Sequence, residues 1–365
     1  MKKNLLATSA IVGSLFAFAG QASAQTTITA DMHLTYSAIS NDSPSNVLGS
    51  YRGFGKETQL NIKHTGKLAN GAGYVAGFSI EHDGNDRNVT NATPAANNTS
   101  DLSGMFNENV YMDFIFGKTT LTVGADHIQN PDFTYTNIAG FRADPEDILD
   151  GANVGNTGVA NLYPGSATSR YGSFGAGIIQ DLGLAKVSYY YVPGGTPSAE
   201  TGAGTTESMV IGTKDAGESG HEFMARGDLG VKGLDATVFY SVQDSEGTAG
   251  PSKDVVGRMV GAKYNFGAIT VAAELKRNTA ATAVTTEGIS AAIGYAVSKD
   301  VTVAIGMQEA ELKQPGAKTE ETKYLQVGYN LGPVVAGFAY VDSDNLGGVA
   351  TAQAKGLYFQ LSSAF

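Results

Sequence analysis

The chain ends in Leu357-Tyr358-Phe359-Gln360-Leu361-Ser362-Ser363-Ala364-Phe365. Successive side chains of an extended strand point to opposite faces, so Leu357, Phe359, Leu361, Ser363 and Phe365 share one face and Tyr358, Gln360, Ser362 and Ala364 the other. Faces of unlike polarity mean unlike surroundings. A strand that closes on an aromatic, in a chain that opens with an export signal, points to the bacterial outer membrane.

The export signal is legible at the other end. Lys2 and Lys3 lead an apolar stretch from Leu5 to Ala19, followed by the small-x-small triplet Ala22-Ser23-Ala24. Residues 1–24 read as a cleaved secretory signal, with the cut between Ala24 and Gln25, leaving one domain over 25–365. The apolar run is too short for a membrane anchor.

Losing Lys2 and Lys3 takes the formal charge from -11 to -13. That acidity argues against nucleic acid, whose phosphates it would repel. There is no cysteine to staple the exported chain. No later run approaches the roughly 20 apolar residues of a membrane helix, whereas a barrel hides its hydrophobicity in alternate positions. Seventeen tyrosines and sixteen phenylalanines argue against disorder. With no tryptophan, any interfacial girdle must be built from Tyr and Phe.

Alternating segments recur along the whole chain, and the reading is all-β: a transmembrane antiparallel barrel of sixteen strands. The first five run from about Thr26 to Ala38, Glu57 to His64, Tyr74 to Glu81, Val110 to Phe116 and Leu121 to Ala125. After a break from Asn130 to about Thr168, eleven more follow near 170–180, 184–193, 221–229, 234–244, 255–266, 268–278, 287–297, 301–311, 319–330, 333–342 and 355–365. Short connections such as Asp181-Leu182-Gly183 and Asn330-Leu331-Gly332-Pro333 alternate with longer polar ones, as at 194–220. An even strand number puts both termini and the short turns on one side. A soluble sandwich would not require this short/long asymmetry.

The signal, the sixteen-strand pattern, the Leu-Gly and Phe-Gly turns, the long third loop and the terminal Phe365 together resemble a Gram-negative porin of the general-diffusion type. The resemblance spans essentially the whole chain. It implies passive diffusion of ions and small hydrophilic solutes through water-filled barrels, each narrowed by its third loop folding into the lumen. It also implies a homotrimer in the outer membrane, in contact with lipid and lipopolysaccharide, with no enzymatic activity and no cofactor. Phe365 would be part of the signal read by the barrel-assembly machinery. The Pro-Glu-Phe-Gly-Gly type segment of enteric third loops is missing here, so the loop path can differ.

The break between the fifth and sixth strands holds Asp132, Asp144, Glu146, Asp147 and Asp150 against one cation, Arg142. Asp144 and Pro145 suit the cap and first turn of a short helix. Folded inward, these acids would form a negative constriction and favour cations. Family resemblance also implies basic residues on the facing wall, and alternation offers Lys63, Lys186 and Arg226, with Arg170 at the start of strand six. Glu57, Glu81, Asp113 and Asp126 fall on polar faces as well. Tyr111, Tyr190, Tyr324 and Tyr358 fall on inner faces but are dispersed, whereas a sugar-specific channel would want an aromatic stripe and an anion-specific one clustered Arg and Lys.

His33, His64, His82, His127 and His221 show no metal-ligand spacing, and no metal site is expected. His33 and His64 read as rim positions. There is no P-loop, nucleophile elbow or dinucleotide fingerprint. A structural or adhesive barrel is the remaining alternative, but inner faces rich in Gly, Ser, Thr and Asn suit an open, wet channel better.

Overall fold

A computed structural model describes residues 24–41, 51–83, 106–124, 134–140, 174–193, 219–243, 254–279 and 284–365. Sixteen strands close into one antiparallel barrel in which each pairs with its neighbours in sequence and β1 pairs with β16. They are β1 (Gln25–Asn41), β2 (Tyr51–Lys67), β3 (Gly73–Asp83), β4 (Phe106–Phe116), β5 (Thr119–Gly124), β6 (Gly175–Asp181), β7 (Lys186–Val192) and β8 (Gly220–Gly227), then β9 (Leu234–Gln243), β10 (Val255–Phe266), β11 (Ile269–Thr279), β12 (Thr285–Ala296), β13 (Val301–Leu312), β14 (Glu320–Asn330), β15 (Val334–Asp344) and β16 (Gln353–Ala364). No described helix is long and apolar enough to cross a membrane. Strands can cross only as a closed set, because lipid offers no partner for an unpaired backbone group.

Strand β2 is longer than its sequence pattern suggested, because it pairs with β1 from Gln25↔Thr65 up to Ile39↔Tyr51. Its upper end lacks apolar alternation and is held by the ladder. The last residue completes the closure: Ala30 N–H donates to Phe365 O at 2.7 Å and Phe365 N–H returns to Ala30 O at 2.8 Å.

The short turns have a common chemistry. Asp181, Asp228 and Asn330 each accept, through a side-chain oxygen, the N–H of a glycine two residues on: Gly183 at 2.7 Å, Gly230 at 2.9 Å and Gly332 at 2.8 Å. That Asx turn requires a left-handed residue next, and Gly332 sits at φ 91°. The Asx-Leu-Gly signature is therefore a turn device.

The alternation sorts the two faces. Leu357 and Phe359 are outward and exposed, while Tyr358 and Gln360 between them are buried in the barrel. Ile289, Ile293, Ile305, Leu325 and Phe338 extend the outward apolar band. Polar groups at the same depth, such as Ser290, Gln308 and Gln326, point inside and are buried. A barrel in lipid inverts the usual soluble arrangement in this way.

Candidate functional site in the lumen

The described part of the long break, residues 134–140, lies against the inner wall of the barrel. The wall has been cleared for it. Small inner-face residues recur on successive strands: Gly261 on β10, Ala272 on β11, Ala292 and Gly294 on β12, Ala304 and Gly306 on β13, and Gly328 on β14. A Cβ built on Gly261 would lie 2.6 Å from Tyr135 Cδ2, one on Gly294 2.5 Å from Ile138 Cγ2, and one on Gly328 2.4 Å from Ala139 O. These glycines leave the room the segment fills.

Tyr135 is the largest buried side chain of the segment, 3% exposed, packed with Phe239, Met259 and Ala272. Its amide donates to Glu274 Oε2 at 2.7 Å. Its hydroxyl lies 2.7 Å from Thr237 Oγ1 and donates to Asp235 Oδ1 at 3.1 Å. Burial pushes that hydroxyl's pKa up to about 12, with the Thr237 hydrogen bond opposing the shift.

The rest of the segment is bonded strand by strand. Thr136 Oγ1 meets Ser290 Oγ at 2.6 Å, Tyr324 donates its hydroxyl to Thr136 O at 3.2 Å, and Gln326 Nε2 donates to Asn137 Oδ1 at 3.1 Å. Lys276 Nζ reaches Thr134 Oγ1 at 3.1 Å and stands 3.4 Å from Glu274 Oε1, with both charged side chains fully buried. A buried pair of this kind is tolerated only where its other hydrogen-bonding capacity is met, and here the segment meets it. Tyr324 also joins Val341, Leu346 and Ala352 in a buried cluster, so the turn Leu346–Gly348 before β16 folds inward too.

The opposite wall is acidic. In a closed ring of sixteen strands, β1–β4 stand diametrically across from β9–β12. Inner-face positions there carry Asp31 on β1, Glu57 and the base Lys63 on β2, Glu81 on β3 and Asp113 on β4, so acids outnumber bases. Asp31 and Glu81 flank Gln59 in register. Amides and a hydroxyl knit the row: Asn61 Nδ2 donates to Asp31 at 3.2 Å, and Gln59 and Asn109 both donate to Ser79, at 3.1 and 2.7 Å.

The sequence candidates fall as follows. Asp132, Asp144, Glu146, Asp147, Asp150 and Arg170, with the expected short helix, lie outside the described residues. Lys186 and Arg226 sit opposite one another on β7 and β8, while Lys63 is on β2. Arg226 lies beside the inward segment, not across from it: its guanidinium is 5.9 Å from the Tyr135 ring centroid and grips Asp235 through two bonds, at 3.0 and 2.7 Å. Gln25 is the first residue of β1. His64 faces outward, bonded to Tyr74 at 2.8 Å, whereas His33 sits in the middle of β1 on the inner face, not at a rim. Among the described residues no cluster of ligating side chains could hold a metal.

Sequence reading missed Tyr135, Glu274 and Lys276 as anchors. The signal was present in Ala292, Gly294, Ala304 and Gly306, a run of small inner-face residues that leaves a trough.

The comparisons agree with this architecture. A family model described as Gram-negative porin matches residues 7–347. A search of curated protein sequences finds no significant match. Among solved structures, the anion-selective porin from Comamonas acidovorans superposes with a TM-score of 0.61 at 14% identity, covering 94% of this chain and 100% of that one. A mutant of the Rh. blastica porin gives 0.58 at 13% identity, covering 93% and 100%. At such identities the likeness concerns the fold, and the family rests on the match to its sequence model. The chain therefore belongs to the Gram-negative porin family, outer-membrane β-barrels that act as channels for passive diffusion.

Proposed function

We propose that this porin passes ions and small hydrophilic solutes with a preference for cations. The observation that carries the reading is the wall on which Asp31, Glu57, Glu81 and Asp113 outnumber the cation Lys63, facing across the lumen a wall on which Arg226 and Lys276 are paired with Asp235 and Glu274 and Lys263 stands near Asp235. Fixed negative charge in a narrow aqueous passage with low-dielectric walls raises the local cation concentration. The acids Asp132, Asp144, Glu146, Asp147 and Asp150 flank the docked segment in sequence and would add to that field.

By family, the working unit is a homotrimer set among outer-membrane lipid and lipopolysaccharide, delivered by the signal peptide and inserted by machinery that reads Phe365. The experiment is single-channel recording of the purified protein in a planar bilayer under a salt gradient. Current steps grouped in threes, with a reversal potential on the cation side, are expected. Anion preference would overturn the proposed selectivity. Absence of any conductance from folded, inserted protein would overturn the open-channel reading.

A further inference from the structure

We infer that His33 is a selectivity-determining residue, one that makes the cation preference of the lumen depend on pH. This rests on the cation-preferring reading above and deepens it. Of the histidines whose side chains are described, His64 and His221 are outward, bonded to Tyr74 and Tyr189. His33 alone is on the inner face. It stands within the acidic wall: its Nε2 lies 3.5 Å from Asp31 Oδ1 on its own strand, and its register partner on β2 is Glu57. On the other side β16 presents Ser362, whose Oγ is 2.8 Å from His33 Nδ1, and Gln360, which donates to Ser362. The described titratable groups facing the ring are thus two carboxylates, and β16 contributes none.

An imidazole changes charge between about pH 5 and 8, whereas carboxylates ordinarily do so near pH 4. An imidazole at this position therefore gains charge, on going from pH 8 to 5, before carboxylates ordinarily lose theirs. That proton places a positive charge in the row that attracts cations. One unit charge within a Debye length of the ion path changes the local cation to anion ratio by about twofold at 0.1 M salt, and less at 1 M.

The test is the reversal potential of the intact porin in a 0.1 M-range KCl gradient from pH 8 to pH 5, for wild type, His33→Asn and Asp31→Asn. Wild type should lose about twofold in cation over anion permeability across that range. His33→Asn, which can keep a bond to Ser362, should show no such step. In Asp31→Asn the step should persist, because it belongs to His33, while the cation preference at pH 8 falls with the loss of one wall acid. If His33→Asn fails to insert, His33→Gln is measured in its place. A cation preference at pH 8 with superimposed wild-type and His33-variant curves would sink this inference alone. Anion preference already at pH 8 would sink the underlying reading as well.

Discussion

The Tyr135 ring occupies the space that a side chain on Gly261 would need, 2.6 Å from where its Cβ would stand. Strand β10 and the inward segment are therefore fitted to one another. Replacing a buried aromatic with alanine ordinarily costs about 3–5 kcal/mol, and here the loss falls on docking of the segment, because the strand ladders do not depend on it. Tyr135→Ala should raise and destabilise the single-channel current and admit larger solutes in liposome swelling. Gly261→Leu should do the same from the wall side. Tyr135→Phe, losing about 1 kcal/mol of hydrogen bonding, should stay near wild type. An unchanged current in Tyr135→Ala would remove Tyr135 from the constriction.

Alkaline pH should reach the same anchor. The docked phenol is raised by burial from 10.0 to about 12, while a released one keeps the ordinary value. Docked and released forms bind the same proton below pH 10, so docking is unaffected there. Between about 10 and 12 the released form ionises first, and docking weakens as pH rises. Wild-type current should become noisier on going from pH 9 to 11. Tyr135→Phe, with no phenol to ionise, should not change over that interval.

Glu274→Ala strips the buried Lys276 ammonium of its carboxylate and the Tyr135 amide of its acceptor. Breaking a buried pair from one side costs about 3–5 kcal/mol. The variant should unfold at lower temperature, read by the heat-induced mobility shift on gels. Joint replacement, Glu274→Gln with Lys276→Met, should recover most of the loss. Equal damage from the single and the joint variant would show that the charge imbalance is not the cause.

The outward band makes a different demand. Ile305 is exposed on β13 between Ile293 and Leu325 in register. A lysine there would have to enter lipid, at about 2–4 kcal/mol near the midplane. Ile305→Lys should refold poorly into vesicles. Glu311→Ala should behave as wild type, since Glu311 lies at the strand end in a solvated network with Lys313 and Glu287. Normal refolding of Ile305→Lys would mean that this face does not meet lipid.

At the chain end, the pairing of Phe365 with Ala30 uses only backbone atoms, and the phenylalanine ring is largely exposed. Phe365→Ala should therefore leave the melting temperature of the assembled barrel nearly unchanged while slowing its insertion in cells. A lowered melting temperature with normal insertion would make the ring a packing element instead of an assembly signal.

Much of this architecture is local and so is written in the sequence. Period-two alternation around Leu357 and Phe359, around Leu60 and Ile62 and around Val301 to Ile305 reports two environments without reference to any partner strand. The Asx-Leu-Gly turns at Asp181 and Asn330 depend on neighbouring residues alone. From these the strand number and the inward placement of Tyr190, Tyr324 and Tyr358 follow.

What alternation cannot carry is register and the path of a chain that leaves the wall. Arg226 is an inward base in the sequence, but which acid meets it depends on the β8–β9 pairing that brings Asp235 alongside. The acids Asp31, Glu57, Glu81 and Asp113 are scattered over more than eighty positions, and only closure of the ring lines them on one wall. Tyr135 meets Gly261 and Glu274 across more than a hundred residues, through contacts with no sequence period. The sequence by itself determined the strands and their faces, because those depend on neighbours two residues apart. Tertiary structure decided which charges stand together and where the inward segment rests, because those depend on inter-strand register and on the space that glycines leave in a closed barrel.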